Sequence, residues 1–125
     1  MVFKIKTSQK TQELFEIIEA SENLQPYALS KLAISLSLKS QVPLSDEDFK
    51  TDNNGLELSR QTIFGDHDLI FKTLIINCEN KAMCEEDYFP GAVKAHLDRG
   101  AKLLEDEKRY SKDFYNHLCH LDTNI

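Results

Sequence analysis

The sequence predicts a mainly α-helical protein that has one short N-terminal strand and about five helices. Within residues 2–7, lysines alternate with uncharged side chains from Phe3 on, which is typical of a half-buried strand. Most later segments space their apolar residues by three or four positions, as amphipathic helices do. A chain of 125 residues, 41% of them apolar, is long enough to bury a core of its own. We therefore expect a single domain that spans residues 1–125.

The N-terminal strand is expected to expose its lysines. Lys4 and Lys6 fall on one face of the alternating stretch, whereas Phe3, Ile5 and Thr7 fall on the other. The apolar face would pack on the core, and the two ammonium groups would point into solvent. Lysine on a strand has a second interpretation, because it often protects an exposed sheet edge from pairing with other chains.

Two helices are predicted directly after the strand. Residues 9–21 place their apolar side chains on one stripe, and Thr7 or Ser8 can cap the start of this helix. Pro26 suits the first position of the second helix, residues 26–39, because its missing N–H would be unpaired there. The order strand, helix, turn, helix is that of a ribbon-helix-helix unit. In such a unit the strand pairs with its copy from a second subunit and enters the DNA major groove.

The distribution of charged residues also separates residues 1–40 from residues 41–125. Residues 1–40 carry five lysines and four glutamates, whereas residues 41–125 carry ten basic and seventeen acidic residues. The net charge of the whole chain is −6, and a general nucleic-acid binder would be basic overall. If the protein binds DNA, we therefore expect residues 1–40 to be a ribbon-helix-helix-like part for DNA binding and oligomerisation. Residues 41–125 would then be a helical part that faces protein partners or neighbouring subunits.

The expected helical part follows an irregular stretch with a strong turn signal at residues 54–55. Residues 67–77 are apolar enough to predict a central core helix. Residues 91–108 predict another helix, inside which Gly100 either permits close approach of a neighbouring helix or marks a break. Ser111 can cap a last helix near the C-terminus.

Three stretches, in this order and at this spacing, resemble the DndE family of bacterial DNA phosphorothioate modification. They are LSKLAISLSLK (residues 29–39), GLELSRQTIFGDHDLIFKTLI (residues 55–75) and HLDRGAKLL (residues 96–104). The resemblance covers most of the chain, from about residue 3 to residue 104. None of the stretches is a sharp motif for a particular chemistry, so the resemblance depends on their order and on the chain length.

The resemblance implies a role that composition cannot indicate. Proteins of this family work beside a sulfurtransferase subunit and an ATPase subunit, which together replace a non-bridging phosphate oxygen of DNA by sulfur. The DndE-like component is regarded as a DNA-binding homo-oligomer that favours nicked duplex. It has no established catalytic residues, so the resemblance implies a non-catalytic subunit, a dimer or a tetramer, that needs no cofactor.

Six residues are the expected DNA contacts: Lys4, Lys6, Lys10, Ser30, Lys31 and Arg60. The first three form a basic edge at the N-terminus. The second predicted helix has free N–H groups around Tyr27 and Ala28, where the helix dipole also favours a phosphate, and Ser30 and Lys31 lie close enough to add contacts. Arg60 stands among polar residues before the predicted core helix. It is either a phosphate contact or half of a structural ion pair.

Other chemistries have weaker support in the sequence. His117, Cys119 and His120 lie close together but lack the paired spacing of a structural zinc site, so we expect no metal. Cys84 is followed by three acidic residues, which disfavour a reactive thiolate. No phosphate-binding glycine loop is present.

Two alternative functions remain open beside the accessory DNA-binding one. The first is a ribbon-helix-helix transcriptional regulator, although a strand with lysine and valine suits phosphate contact better than base readout. The second is a nickase that holds magnesium with the acidic run at residues 46–48. No secretory signal or long apolar run is evident, and the three cysteines form no disulfide framework, so we expect a cytoplasmic protein.

Overall fold

The computed structural model describes residues 3–109 and is mainly α-helical, as predicted. Its regular elements, in chain order, are β1 (Lys4–Lys6), α1 (Gln9–Glu22), α2 (Pro26–Lys39), β2 (Glu57–Ser59), α3 (Arg60–Phe64), α4 (Asp68–Glu79) and α5 (Val93–Arg109). Short 3-10 turns occupy Asp46–Phe49 and Gly65–His67, and an irregular turn over Asp87–Ala92 leads into α5. The helix predicted to begin at Ser111 lies outside the described residues.

The two strands form an antiparallel sheet within one chain. Ile5 faces Leu58 across the sheet, and both side chains are buried. The pairing continues past the strands, because the Thr7 amide donates to the Leu56 carbonyl oxygen at 2.8 Å and the Gly55 amide donates to the Thr7 carbonyl oxygen at 2.8 Å. The expectation that the strand needs a second subunit to complete its ribbon is therefore wrong. The chain turns back after the predicted turn and supplies the partner strand itself.

The start of α1 follows from its capping residue. The Ser8 side chain accepts a hydrogen bond from the Thr11 amide and so satisfies one of the free N–H groups of the first turn. The buried stripe of α1 is the predicted one, and its members are Thr11, Leu14, Phe15 and Ile18. Phe3, which the alternation assigned to the core, is 60% exposed, although its carbonyl oxygen accepts a hydrogen bond from the Arg60 amide at 2.7 Å.

Helices α2 and α5 form the centre of the molecule. A side chain at Gly100 of α5 would place its Cβ 1.6 Å from the backbone oxygen of Ala33 in α2, so only glycine allows the two backbones to approach this closely. The first interpretation of Gly100, close helix approach, is therefore confirmed. Around this contact the core gathers large buried side chains from most elements: Phe15, Ile18, Leu29, Ile34, Ile63, Phe64, Tyr88 and Leu97.

Helix α4 differs from its prediction in burial. It forms close to the expected range, but only Ile75 is fully buried, whereas Leu69 is 74% exposed and Ile70 is 57% exposed. The prediction of a central core helix is wrong, because α2 and α5 occupy the centre and α4 packs on the outside. None of the helices in residues 3–109 is long and apolar enough to cross a lipid bilayer.

Asp98 on α5 connects three parts of the chain. Its carboxylate is 2% exposed and accepts hydrogen bonds from the Ser8 amide (3.2 Å), the Thr11 hydroxyl (2.8 Å) and the Thr51 hydroxyl (2.7 Å). The ammonium group of Lys94, one turn earlier, pairs with it at 2.8 Å. Asp98 thereby fixes the junction between β1 and α1, which lies between Lys6 and Lys10, relative to α5.

Candidate nucleic-acid interface

Two lysines project from the outer face of the N-terminal sheet. Lys4 and Lys6 are exposed while Ile5 between them is buried, which confirms the predicted alternation for these three residues. Neither ammonium group forms an ion pair with a described residue. Glu57 lies opposite Lys6 in the strand register, so one carboxylate shares this face with the two ammonium groups. The face keeps a small positive excess that is open to solvent.

Lys10 continues this basic edge into the first turn of α1. It lies on the rim of a shallow cleft of about 20 Å³ between α1 and α5, and Lys102 lies on the same rim. A cleft of this volume holds about one water molecule, so it is not a ligand pocket. The cleft shows that Lys102 of α5 lies near Lys10 of α1. The acidic residue Glu105 lines the same cleft. Lys102 was not predicted from the sequence, because no local pattern links residues so far apart in the chain.

The N–H groups at the start of α1 are already engaged. The Gln9 amide donates to the Asp52 carboxylate at 2.9 Å, and the Asn54 amide donates to the same oxygen at 3.0 Å. These two bonds lower the pKa of Asp52 below its ordinary value, since they favour the charged carboxylate. A phosphate near this helix would therefore contact the lysine side chains rather than the helix end.

At the start of α2 the two predicted contact residues differ in accessibility. The helix begins at Pro26, as predicted, and no side chain caps it. Ser30 is fully buried, and its hydroxyl donates to the Pro26 carbonyl oxygen at 2.8 Å. The expected phosphate contact by Ser30 is therefore incompatible with this fold. Lys31, the next residue, is half-buried on α2.

Arg60 forms a structural ion pair, which was the second of the two roles predicted for it. Its guanidinium group bonds Asp68 through two nitrogens, at 3.0 and 2.6 Å, and bonds Glu85 through the third. It also lies 5.1 Å from the ring centroid of Tyr88 and 5.4 Å from that of Phe89. These carboxylates raise the pKa of Arg60 above its ordinary value. The structure thus brings together Lys4, Lys6 and Lys10 on one continuous segment, but it turns the Arg60 side chain towards internal partners.

The residues considered for other chemistries have structural partners or lie elsewhere. Asp48, in the acidic run, accepts hydrogen bonds from the Ser45 amide and hydroxyl and so caps its own 3-10 turn. Cys84 is exposed, and the carboxylate of the neighbouring Glu85 bonds Arg60 and Lys72. The histidine cluster at residues 117–120 lies outside the described residues.

Together these features define a small, mainly α-helical protein whose two-stranded N-terminal sheet presents lysines to solvent. The sequence matches the family model described as DNA sulphur modification protein DndE over residues 4–112. The chain therefore belongs to the DndE family, a family of DNA phosphorothioate modification. The resemblance seen in the sequence is confirmed and extends past residue 104.

Solved structures agree with this assignment at the level of the fold. The crystal structure of DndE from Escherichia coli B7A, involved in DNA phosphorothioation modification, superposes with a TM-score of 0.67 at 18% identity and covers 83% of this chain and 97% of its own. A DndE G21/24K mutant involved in DNA phosphorothioation gives a TM-score of 0.64 at 18% identity, covering 82% and 97%. No curated protein sequence matches the chain.

Proposed function

We propose that the protein is a non-catalytic, DNA-binding subunit of the phosphorothioate modification system. It contacts the backbone of duplex or nicked DNA through Lys4, Lys6 and Lys10, with Lys31 and Lys102 as further cations. It acts as a homo-oligomer beside the sulfurtransferase and ATPase subunits in the cytoplasm. Ser30 and Arg60 are left out of this interface, because the first is buried and the second is bonded by two carboxylates.

The observation that carries the proposal is the contrast between the N-terminal lysines and most other cations of the described chain. Arg60, Lys72, Lys94, Arg99 and Lys108 all have a carboxylate within ion-pair distance. Lys4, Lys6 and Lys10 have none among the described residues and are exposed. In an acidic protein, exposed cations without partners on one continuous segment are suited to bind a polyanion. Lysine contacts of this kind position a protein on DNA without reading its sequence.

The test is the salt dependence of DNA binding by the Lys4→Ala/Lys6→Ala variant. Each phosphate neutralised contributes a slope of about −0.9 in log K against log salt. We expect the double variant to bind intact and nicked duplex more weakly and to reduce the slope by about one unit for each lysine that contacts DNA. Fluorescence anisotropy with labelled duplexes at several salt concentrations measures both quantities.

The matched control is Lys50→Ala/Lys81→Ala, which removes the same charge from two exposed positions on other segments. We expect its slope to equal that of the unmodified protein. Equal slopes for the two double variants would contradict the proposed interface.

A preference of about 10³ for one palindrome over random DNA would indicate an operator-reading regulator instead. Conversion of supercoiled plasmid to open circle with Mg²⁺, lost in Asp46→Ala, would indicate a nickase.

A further inference from the structure

A compact group of metal-binding side chain types lies between the end of α4 and the first turn of α5. The group contains Cys78, Glu79 and His96, and one donor atom from each lies within 4.8 Å of the other two. His96 is fully buried, and its Nε2 is 3.2 Å from a carboxylate oxygen of Glu79. Thiolate, imidazole and carboxylate together are a donor set typical of Zn²⁺ in proteins.

The polar atoms around this group fix its orientation. The Ser37 hydroxyl lies 2.8 Å from Nδ1 of His96, and the Arg99 Nε donates to that hydroxyl at 2.7 Å. The Leu44 amide donates to both carboxylate oxygens of Glu79, at 3.1 and 3.2 Å. Ligating histidines in metalloproteins have their second ring nitrogen held in this way.

The side chains of Ser37, His96 and Glu79 contact one another in that order, which is also the arrangement of a hydrolytic triad. Two observations speak against it. Ser37 is fully buried, so a substrate carbonyl does not reach its hydroxyl from the surface of the described chain. In addition, the Arg99 Nε–H donates to the Ser37 hydroxyl oxygen and so occupies a lone pair that a nucleophile would need. Ser37 therefore acts on the orientation of His96.

Solvent reaches the group through Cys78. This residue lines an open cavity of about 460 Å³, whose other walls are Leu38, Gln41, Leu74 and Asn77. Its side chain is half-buried, and its thiol lies 3.6 Å from the Val42 carbonyl oxygen. An ion can enter through this cavity, and a water molecule can approach from the same side. A site with three protein ligands and one open position follows from this arrangement.

We propose that Cys78 Sγ, Glu79 and His96 Nε2 bind one Zn²⁺ ion per chain, with a water molecule from the cavity as the fourth ligand. On binding, the thiol proton leaves to solvent, and the neutral imidazole binds through an unprotonated Nε2, with its proton on Nδ1 facing the Ser37 hydroxyl oxygen. No electron transfer is involved. The site is separate from the proposed DNA contacts, so the two proposals stand or fall independently.

Co²⁺ titration of the full chain tests the site, because a cobalt–thiolate bond gives a charge-transfer band in the near ultraviolet. The starting protein is Cys84→Ser/Cys119→Ser, in which Cys78 is the remaining thiol. We expect the band to appear and to saturate at one Co²⁺ per chain, and Zn²⁺ to displace it. Absence of the band in this protein would overturn the proposal.

Two further variants of this starting protein identify the other ligands. Glu79→Gln keeps an oxygen that accepts from Leu44 but removes the charged ligand, and His96→Gln removes the imidazole. We expect each to weaken Zn²⁺ binding by at least about tenfold in competition with a chromophoric chelator. A melting curve by circular dichroism without metal establishes that each variant is folded. Folded variants that retain full Zn²⁺ affinity would contradict the assignment, and in that case the band comes from Cys78 with other partners.

Discussion

At the scale of single residues, Asp98 shows how one buried carboxylate organises a distant part of the chain. It accepts from the Ser8 amide, from the Thr11 and Thr51 hydroxyls and from Lys94. Without the carboxylate, the Ser8 amide and the Thr11 hydroxyl would lose their acceptor in buried positions, and Lys94 would keep only Thr51. Leaving a buried donor unsatisfied costs more than the hydrogen bond itself contributes.

We therefore predict that Asp98→Ala lowers the free energy of unfolding by about 3 to 5 kcal/mol, the usual effect of removing one partner of a buried ion pair. Urea denaturation followed by circular dichroism measures the change. The control is Asp106→Ala on the exposed side of the same helix, for which we expect a change within about 0.5 kcal/mol. Equal stabilities of the two variants would show that the Asp98 network contributes little.

At the scale of elements, the contact between α2 and α5 depends on one glycine, Gly100, which has no side chain. Gly100 lies within a helix of seventeen residues, where alanine is normally favoured by about 1 kcal/mol. The steric cost of a Cβ 1.6 Å from the Ala33 oxygen exceeds that preference, because it forces the two helices apart.

Gly100→Ala is therefore expected to destabilise the protein by at least about 3 kcal/mol, against the trend of helix propensity. Gly91→Ala is the matched control, since its Cβ would meet the nearest atom, the Glu86 carbonyl oxygen, at 3.6 Å. Thermal unfolding by circular dichroism compares the two. A Gly100→Ala protein as stable as the unmodified one would mean that α2 and α5 separate without cost.

Some of these elements could be predicted from the sequence, and others could not. The starts of α1 and α2 were predictable because Ser8 and Pro26 act on their own first turns. Helix α3 was missed because its five residues are too short to show a period. The partner of β1 and the exposure of α4 were predicted wrongly, since both depend on which distant elements occupy the neighbouring space. In the candidate interface, Lys4, Lys6 and Lys10 were local signals, whereas Lys102 becomes visible only when α1 and α5 meet.

At the scale of the whole molecule, a chain with a net charge of −6 offers few cations to DNA. Assembly of several copies would multiply the N-terminal lysines on one surface, while the acidic remainder is kept away from the phosphates. The proposed function therefore includes a homo-oligomer. Because β1 is already paired with β2, this assembly does not need a shared ribbon.

We predict that light scattering gives a mass of at least twice the 14.4 kDa of one chain at concentrations where DNA is bound. Binding should also weaken more steeply on dilution than a one-to-one complex does, because dissociation separates the lysines. Dilution series by anisotropy and mass measurement on the same samples test this. A single chain that binds DNA with undiminished affinity would contradict the requirement for assembly.

The bonds that hold the N-terminal segment have a thermodynamic consequence for any polyanion that meets it. Residues 4–11 are tied to β2 on one side and to Asp98 and Asp52 on the other. A disordered basic tail would lose backbone entropy on binding, at a cost of about 1 to 2 kcal/mol for each residue that becomes ordered. Here that ordering has already occurred during folding, so only the lysine side chains lose freedom on contact. The segment is therefore already ordered, and we expect it to bind a polyanion with fewer charges than a disordered arm would need.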